Sequence, residues 1–245
     1  SAILELEEKS TRTLLDQFRR FSFILFEETQ KQYHLHDLLR DFALAALSSA
    51  ENFSASFNHA SYYKEIASYA DELYKQGGEN ILKGLAFFDA HWNHFQAGQT
   101  WSAKQLENKE TQELAMLFPD AATYCLDLRL HPITKISWLN TAVEAAKNLG
   151  RKDAQGVHLG NLGLAYAALG DAKKAIQFYE EQLVIVREIG DRRGEGAALG
   201  NLGNAYAALG DAKKAIQFYE EALVIDREIG DRRGEGADLG NLGLA

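Results

Sequence analysis

The stretch Gly160–Gly190, GNLGLAYAALGDAKKAIQFYEEQLVIVREIG, decides the fold. Its apolar residues recur at helical spacing on both sides of one Gly170-Asp171 turn, so it reads as two helices joined tightly. Leu159, Leu162, Tyr166 and Leu169 share one face of the first helix, and Ile176, Tyr179 or Phe178, Leu183 and Ile185 or Val186 make the facing stripe of the second. Gly170 ends one helix, Asp171 caps the next and Gly190 closes the unit. Gly163 and Ala175 are small enough to let the backbones approach, giving an antiparallel hairpin with one apolar face left for a neighbour.

The neighbour is supplied by repetition. Arg151–Gly190 and Asp191–Gly230 share 30 of 40 positions at an offset of 40, and Asp231–Ala245 repeats the next 15 with two changes. The chain therefore ends in a tandem array, residues 151–190, 191–230 and a partial unit 231–245. Composition divides at the same place: both prolines precede residue 150, and 16 of the 20 glycines lie from Gly150 onward.

Upstream, Ile133–Gly150 also ends in NLG and puts Ile136, Leu139 and Val143 where the next unit has Ile176, Tyr179 and Leu183. It reads as the second helix of a degenerate repeat, with Thr111–Leu130 as its partner. Ala60–Tyr74 and Leu85–Lys104 carry helical periodicity and many aromatics, with turns at Gly77-Gly78 and Lys109. Residues 51–150 are thus expected as a helical linker of repeat-like pairs. Residues 1–50 read differently: a helix over Thr11–Arg20, strand formers over Phe21–Glu27, a polar turn, a strand over Tyr33–Leu35 and a helix over His36–Leu47. That order is the C-terminal part of a winged-helix domain with a small β-hairpin, its first half missing or reduced to Ser1–Glu8.

The bulk numbers exclude several classes. With 26 Lys+Arg against 35 Asp+Glu in 245 residues the net charge is -9, which disfavours a sequence-independent grip on nucleic acid phosphates. No apolar run approaches the roughly 20 residues of a spanning helix. The single Cys125 forms no internal disulfide, and no basic-then-apolar leader opens the chain, so a cytoplasmic setting is expected. His91 and His94 lie one helical turn apart but lack further ligands at metal spacing, and Cys125 with His131 lacks an orienting partner. The aromatics from Phe87 to Trp101 read as packing, and Arg192-Arg193 and Arg232-Arg233 as local ion pairs with Asp191, Glu195, Asp231 and Glu235. Neither a catalytic residue nor a metal site is expected.

Leu162-Gly163, Tyr166, Gly170, Ala175 and Tyr179 fall at the spacing of the tetratricopeptide repeat, which the array resembles in a 40-residue form. Arg187 stands where a helix-ending proline often sits, and Gln182 replaces a usually small residue that returns as Ala222. The resemblance implies an all-α, right-handed superhelical solenoid whose concave surface binds a protein or peptide. By family analogy the binding face comprises Asn161, Leu164, Ala168, Asn201, Asn204, Ala208 and Asn241. A row of amides offers donors and acceptors to an extended backbone whatever its sequence; a merely solvated polar face is the alternative. Gly160 and Gly200 stand where chaperone-binding members often carry basic residues, so a clamp for a C-terminal carboxylate is not expected.

YHLHDLLRDFA resembles the end of the winged-helix domain of STAND signalling ATPases (NB-ARC-like), with Leu35 in place of the motif's methionine. This implies that His36, supported by Asp37, senses the phosphate of bound ADP. The chain has no GxxxxGK[ST] loop, so no cofactor is expected within it; ADP or ATP is expected in a longer protein with the nucleotide-binding domain upstream, both ends being truncated. A trigger bound by the repeats, and oligomerisation on activation, follow from the same resemblance. The rival readings are a stand-alone repeat adaptor, and a DNA-binding winged helix using Arg12, Arg19 and Arg20.

Overall fold

The computed structural model describes residues 8–21, 23–27, 32–35 and 37–244. The chain runs α1 (Glu8–Arg20), β1 (Ile24–Glu27), β2 (Gln32–Leu35) and α2 (Asp37–Ala46), then a long series of helices. β1 and β2 form an antiparallel pair in the register Ile24 to Leu35 and Phe26 to Tyr33. Arg19 of α1 lies 5.8 Å from the centre of the Phe26 ring, and Ile24 of β1 is buried. The helix expected over His36–Leu47 spans Asp37–Ala46; His36 lies outside the described residues.

Two long helices follow, α3 (Ser49–Lys75) and α4 (Glu79–Ala103), both starting earlier than the aromatic periodicity suggests. Ser48 and Glu51 explain the first start by a reciprocal cap: the Glu51 N–H donates to Ser48 Oγ, and the Ser48 N–H donates to Glu51 Oε2. The expected single helix over Thr111–Leu130 is instead two, α5 (Lys109–Ala121) and α6 (Thr123–Arg129), broken at Ala122. Ala122 has no side chain to cap α6. Buried Asp71 of α3 does so from across the fold, its Oδ1 accepting from the Tyr124 and Cys125 N–H groups at 2.9 and 3.1 Å. α7 (Pro132–Asn148) closes this half, with Trp138 stacked on Trp92 of α4 at 5.7 Å and edge-on to Phe118 of α5.

The repeats form α8 (Lys152–Ala168), α9 (Ala172–Ile189), α10 (Arg192–Ala208), α11 (Ala212–Ile229) and α12 (Arg232–Leu244). Asp171 and Asp211 accept the N–H of Lys174 and Lys214 as helix caps, and Gly190 and Gly230 end helices at φ near +70°, a conformation only glycine adopts freely. The interior runs across units: Tyr179, Leu183 and Val186 of α9 share one cluster with Ala198, Leu199 and Leu202 of α10 and Ala222 and Ile225 of α11. Between the second-helix alternatives, Tyr179 and Val186 are buried, while Phe178 is half-buried and stacks on Tyr166 at 5.2 Å. Leu169 departs from the expected stripe and is 43% exposed, because it is the C-cap residue and α8 ends before its face returns to the interior.

The two helices of each hairpin approach where an aromatic ring occupies the place of a missing side chain. A Cβ on Gly163 would lie 2.2 Å from Tyr179 Cε1, and one on Gly203 would lie 2.4 Å from Tyr219 Cε1. Gly163→Ala is therefore expected to destabilise the chain by about 1–3 kcal/mol through overpacking, despite the better helix propensity of alanine. Gly236→Ala, where an added methyl meets nothing within 4 Å, is expected to stabilise by about 0.5–1 kcal/mol. Urea denaturation of the two variants checks both signs.

Candidate peptide-binding groove

First helices of successive repeats lie side by side, and the residues they present between them form two grooves. The larger, about 430 Å³, is lined by Leu164 of α8, Tyr179 of α9 and Asn201, Asn204, Ala208 and Leu209 of α10 and its cap. The second, about 230 Å³, lies between α10 and α12 and is lined by Arg193, Asn201, Asn204, Asp226, Asp238 and Asn241. Asn201 and Asn204 face both, so the grooves run into one another.

Of the residues expected on the binding face, the structure brings Leu164, Asn201, Asn204 and Ala208 together in the first groove and adds Asn241 through the second. Two stand apart. Asn161 lines a narrow cleft with Pro119, Leu126 and Trp138 at the junction with the upstream helices, and Ala168 is exposed on the last turn of α8 outside both grooves. The amides are not equivalent. Asn204 Oδ1 accepts from Tyr219 Oη at 2.9 Å and from Asn241 Nδ2 at 3.2 Å, whereas no hydrogen bond among the described residues occupies the Asn201 side chain. Asn201 thus has both amide atoms unengaged, while Asn204 Oδ1 ties Tyr219 and Asn241 together.

In the groove, exposed Leu164 and Leu209 offer apolar surface, and the amides offer hydrogen-bond donors and acceptors. Burial pushes the Tyr179 phenol up to about 12, so it stays neutral. The charged inter-repeat loops pair locally: Arg187 and Arg192 both hold Glu195, Arg192 reaches Glu228, and Arg227 and Arg232 hold Glu235. Sequence reasoning did not register that Arg187–Glu195 and Arg227–Glu235 each tie one repeat to the next.

Other candidate residues resolve into packing. Cys125 is fully buried, and burial followed by the Asp71 carboxylate pushes its thiol up to about 12, far from a reactive thiolate. His131 caps α7 through Nδ1, accepting the Ile133 N–H, with Pro132 in the first helical turn. His94 stacks flat on Tyr63 at 4.1 Å and lies with His59, its ring nitrogens 3.1 Å apart. His59, one turn before Tyr63 on α3, is the partner that spacing along α4 could not reveal. No group of three or more His, Cys, Asp or Glu side chains among the described residues is arranged to hold a metal ion. No helix among them is long and apolar enough to cross a membrane.

Comparison with known proteins bears on the repeat fold. Residues 153–228 match the family model of the tetratricopeptide repeat, and this part of the chain consists of such repeats. The nearly identical repeats of a putative kinesin light chain from Podosopora anserina superpose with a TM-score of 0.53 at 17% identity, over 75% of this chain and 84% of that one, a likeness of fold. The tetratricopeptide domain of Arabidopsis FLU is 21% identical with a TM-score of 0.44, over 46% of this chain and 95% of that one. A signal transduction ATPase with numerous domains and a tetratricopeptide sensor, from Pyrococcus horikoshii, is 15% identical with a TM-score of 0.49, over 91% of this chain and 47% of that one. The chain therefore spans about half the length of that ATPase. No curated protein matches the sequence.

The histidines between α3 and α4 give a pH dependence whose sign is fixed. Burial, then the neighbouring His94, brings His59 down to about 4; burial also lowers His91 and His94. An unfolded histidine titrates near 6.5, so at these histidines the unfolded chain takes up protons first, and their contribution to stability falls as pH drops from about 6.5 towards 4. The His59 part of this loss is on the order of 1–2 kcal/mol after discounting for its solvent-facing edge. Thermal unfolding of His59→Phe across that range is expected to show a shallower decline than the unmodified chain.

Proposed function

We propose that this chain is a non-catalytic protein-interaction region whose concave groove takes an extended peptide. The observation that carries the reading is the meeting of Leu164, Asn201, Asn204, Ala208 and Leu209 in one open groove, with the Asn201 amide unoccupied. The peptide backbone pairs with Asn201, and an apolar side chain of the partner sits between Leu164 and Leu209. Binders selected by the whole chain from a random-peptide phage library test this. Asn201→Ala together with Leu164→Asp is expected to weaken them at least tenfold with helicity unchanged, whereas binding that survives both changes places the site elsewhere.

We further propose that the region is the sensing arm of a STAND-type signalling ATPase, in which repeats bind a trigger and the N-terminal segment relays that event to a nucleotide switch. Support comes from the YHLHDLLRDFA string and from the helix–hairpin–helix order of α1, β1, β2 and α2 that surrounds it. In this reading His36 contacts the ADP phosphate, Asp37 supports it, a nucleotide-binding domain lies upstream in the same polypeptide, and the trigger shifts the population towards an open, oligomer-forming state. Its concrete expectation is a native polypeptide carrying a GxxxxGK[ST] peptide before Ser1, in which His36→Ala loosens ADP and raises activity without trigger. Mass-spectrometric sequence coverage of the native protein checks the first part, and nucleotide release the second. A product beginning near Ser1 would favour the alternative of a stand-alone peptide-binding adaptor.

A further inference from the structure

The two junctions within the array differ at a facing pair of side chains. Where α9 meets α10 the residues are Val186 and Ala198, both buried in the shared apolar cluster. Where α11 meets α12 the equivalent positions carry Asp226 and Asp238, 7% and 5% exposed. Three helices converge on these two carboxyls. A Cβ on Gly234 of α12 would lie 2.2 Å from Asp226 Oδ2, one on Gly196 of α10 would lie 3.0 Å from Asp226 Oδ1, and one on Gly200 would lie 3.3 Å from Asp238 Oδ1. Glycines thus make room for an acid pair that the first junction lacks.

The charges around the pair do not neutralise it. From α10, Arg193 lines the same groove, and Glu195 is already held by Arg187 and Arg192. From α11 come the Tyr219 phenol and Arg227, and Arg227 is bound to Glu235 of α12. From the turn and α12 come Asp231, which opposes ionisation of Asp226, and Glu235, which Arg232 also holds. No cation among the described residues lies within ion-pair distance of Asp226 or Asp238. Two carboxylates side by side and largely buried repel, whereas a carboxylic acid beside a carboxylate forms a hydrogen bond.

We propose that the junction between the second and third repeats is a proton-operated hinge: Asp226 and Asp238 hold α12 against α10 and α11 while they share a proton, and loosen it when both are ionised. Burial, then the Asp226 charge, pushes Asp238 up to about 6, and burial with Asp231 raises Asp226. An aspartate freed from the junction titrates near 3.9. The closed junction therefore keeps a proton that the open one gives up, so closure is strongest below about pH 4 and is lost as pH rises through about 6. The Asn241 to Asn204 hydrogen bond crosses the same junction, which makes continuity of the amide row depend on the proton. The hinge goes beyond the peptide-binding reading and stands without it.

Hydrogen exchange of residues 232–244 in the whole chain at pH 5 and pH 7, corrected for intrinsic rates and referenced to α8, reads the hinge directly. Protection of α12 is expected to fall roughly tenfold between the two values. Asp226→Val with Asp238→Ala, which installs the residues of the first junction, is expected to abolish the fall and raise protection at pH 7. Asp238→Asn, which keeps a hydrogen-bonding side chain but cannot ionise, is expected to flatten the profile as well. Equal protection of the unmodified chain at both pH values, or a fall retained in either variant, overturns the proposal.

Discussion

A tyrosine ring occupying the space left by a glycine sets the geometry of the array. Tyr179 fills the place of a side chain on Gly163, and Tyr219 does the same on Gly203, so each hairpin closes at one fixed depth. At that depth Ala175 and Ala215 are fully buried, and Leu162 and Leu202 sit in the interior. A closed hairpin still leaves one apolar side uncovered, which is why Ala198 and Leu199 of the next first helix complete the cluster begun by Tyr179 and Val186. The grooves follow from the same stacking, because covering one face of each first helix leaves the opposite face, with Asn201 and Asn204, lining a concavity.

Near-identical units stacked in this way concentrate their individuality at the contacts between them. Position 158 of the first repeat is a buried histidine whose Nε2 lies 3.7 Å from Asp120 Oδ2; the same position is Ala198 in the second and Asp238 in the third. Gln182 presses its amide against Gly160, where a Cβ would come within 2.7 Å, while Ala222 at the equivalent place leaves Gly200 to face Asp238. Each junction is thus tuned by a polar side chain and by the glycine opposite it. Differences between junctions give the solenoid points of unequal firmness, a property that uniform copies would lack.

Local chemistry was legible in the sequence and distant encounters were not. The two-helix unit, the Asp171 cap and the Gly170 and Gly190 ends rest on neighbours within a few residues, so periodicity and turn residues suffice to read them. Leu169 continues the helical stripe in sequence but is exposed at the C-cap of α8, which spacing alone does not show. The break at Ala122 and its cap by Asp71, 53 residues away from Tyr124, depend on which helices meet, as does the pairing of His59 with His94. For the groove, sequence placed Leu164, Asn201, Asn204 and Ala208 on one surface. Asn161, expected on the same face, lines the cleft with Pro119, Leu126 and Trp138, and Ala168 is exposed outside both grooves. The Val186-to-Asp226 and Ala198-to-Asp238 changes were visible as substitutions, but only packing shows that they face one another.

The central claim is that a hairpin closed on its own tyrosine is incomplete, and that each contact with a neighbouring unit adds to its stability. Inserting one further copy of Asp191–Gly230 after Gly230 and following urea unfolding by far-ultraviolet circular dichroism tests it most directly. If each added unit contributes a new interface, the midpoint rises and the transition steepens as more surface is exposed on unfolding. An unchanged midpoint and slope would mean that the hairpins stand alone, contradicting the account.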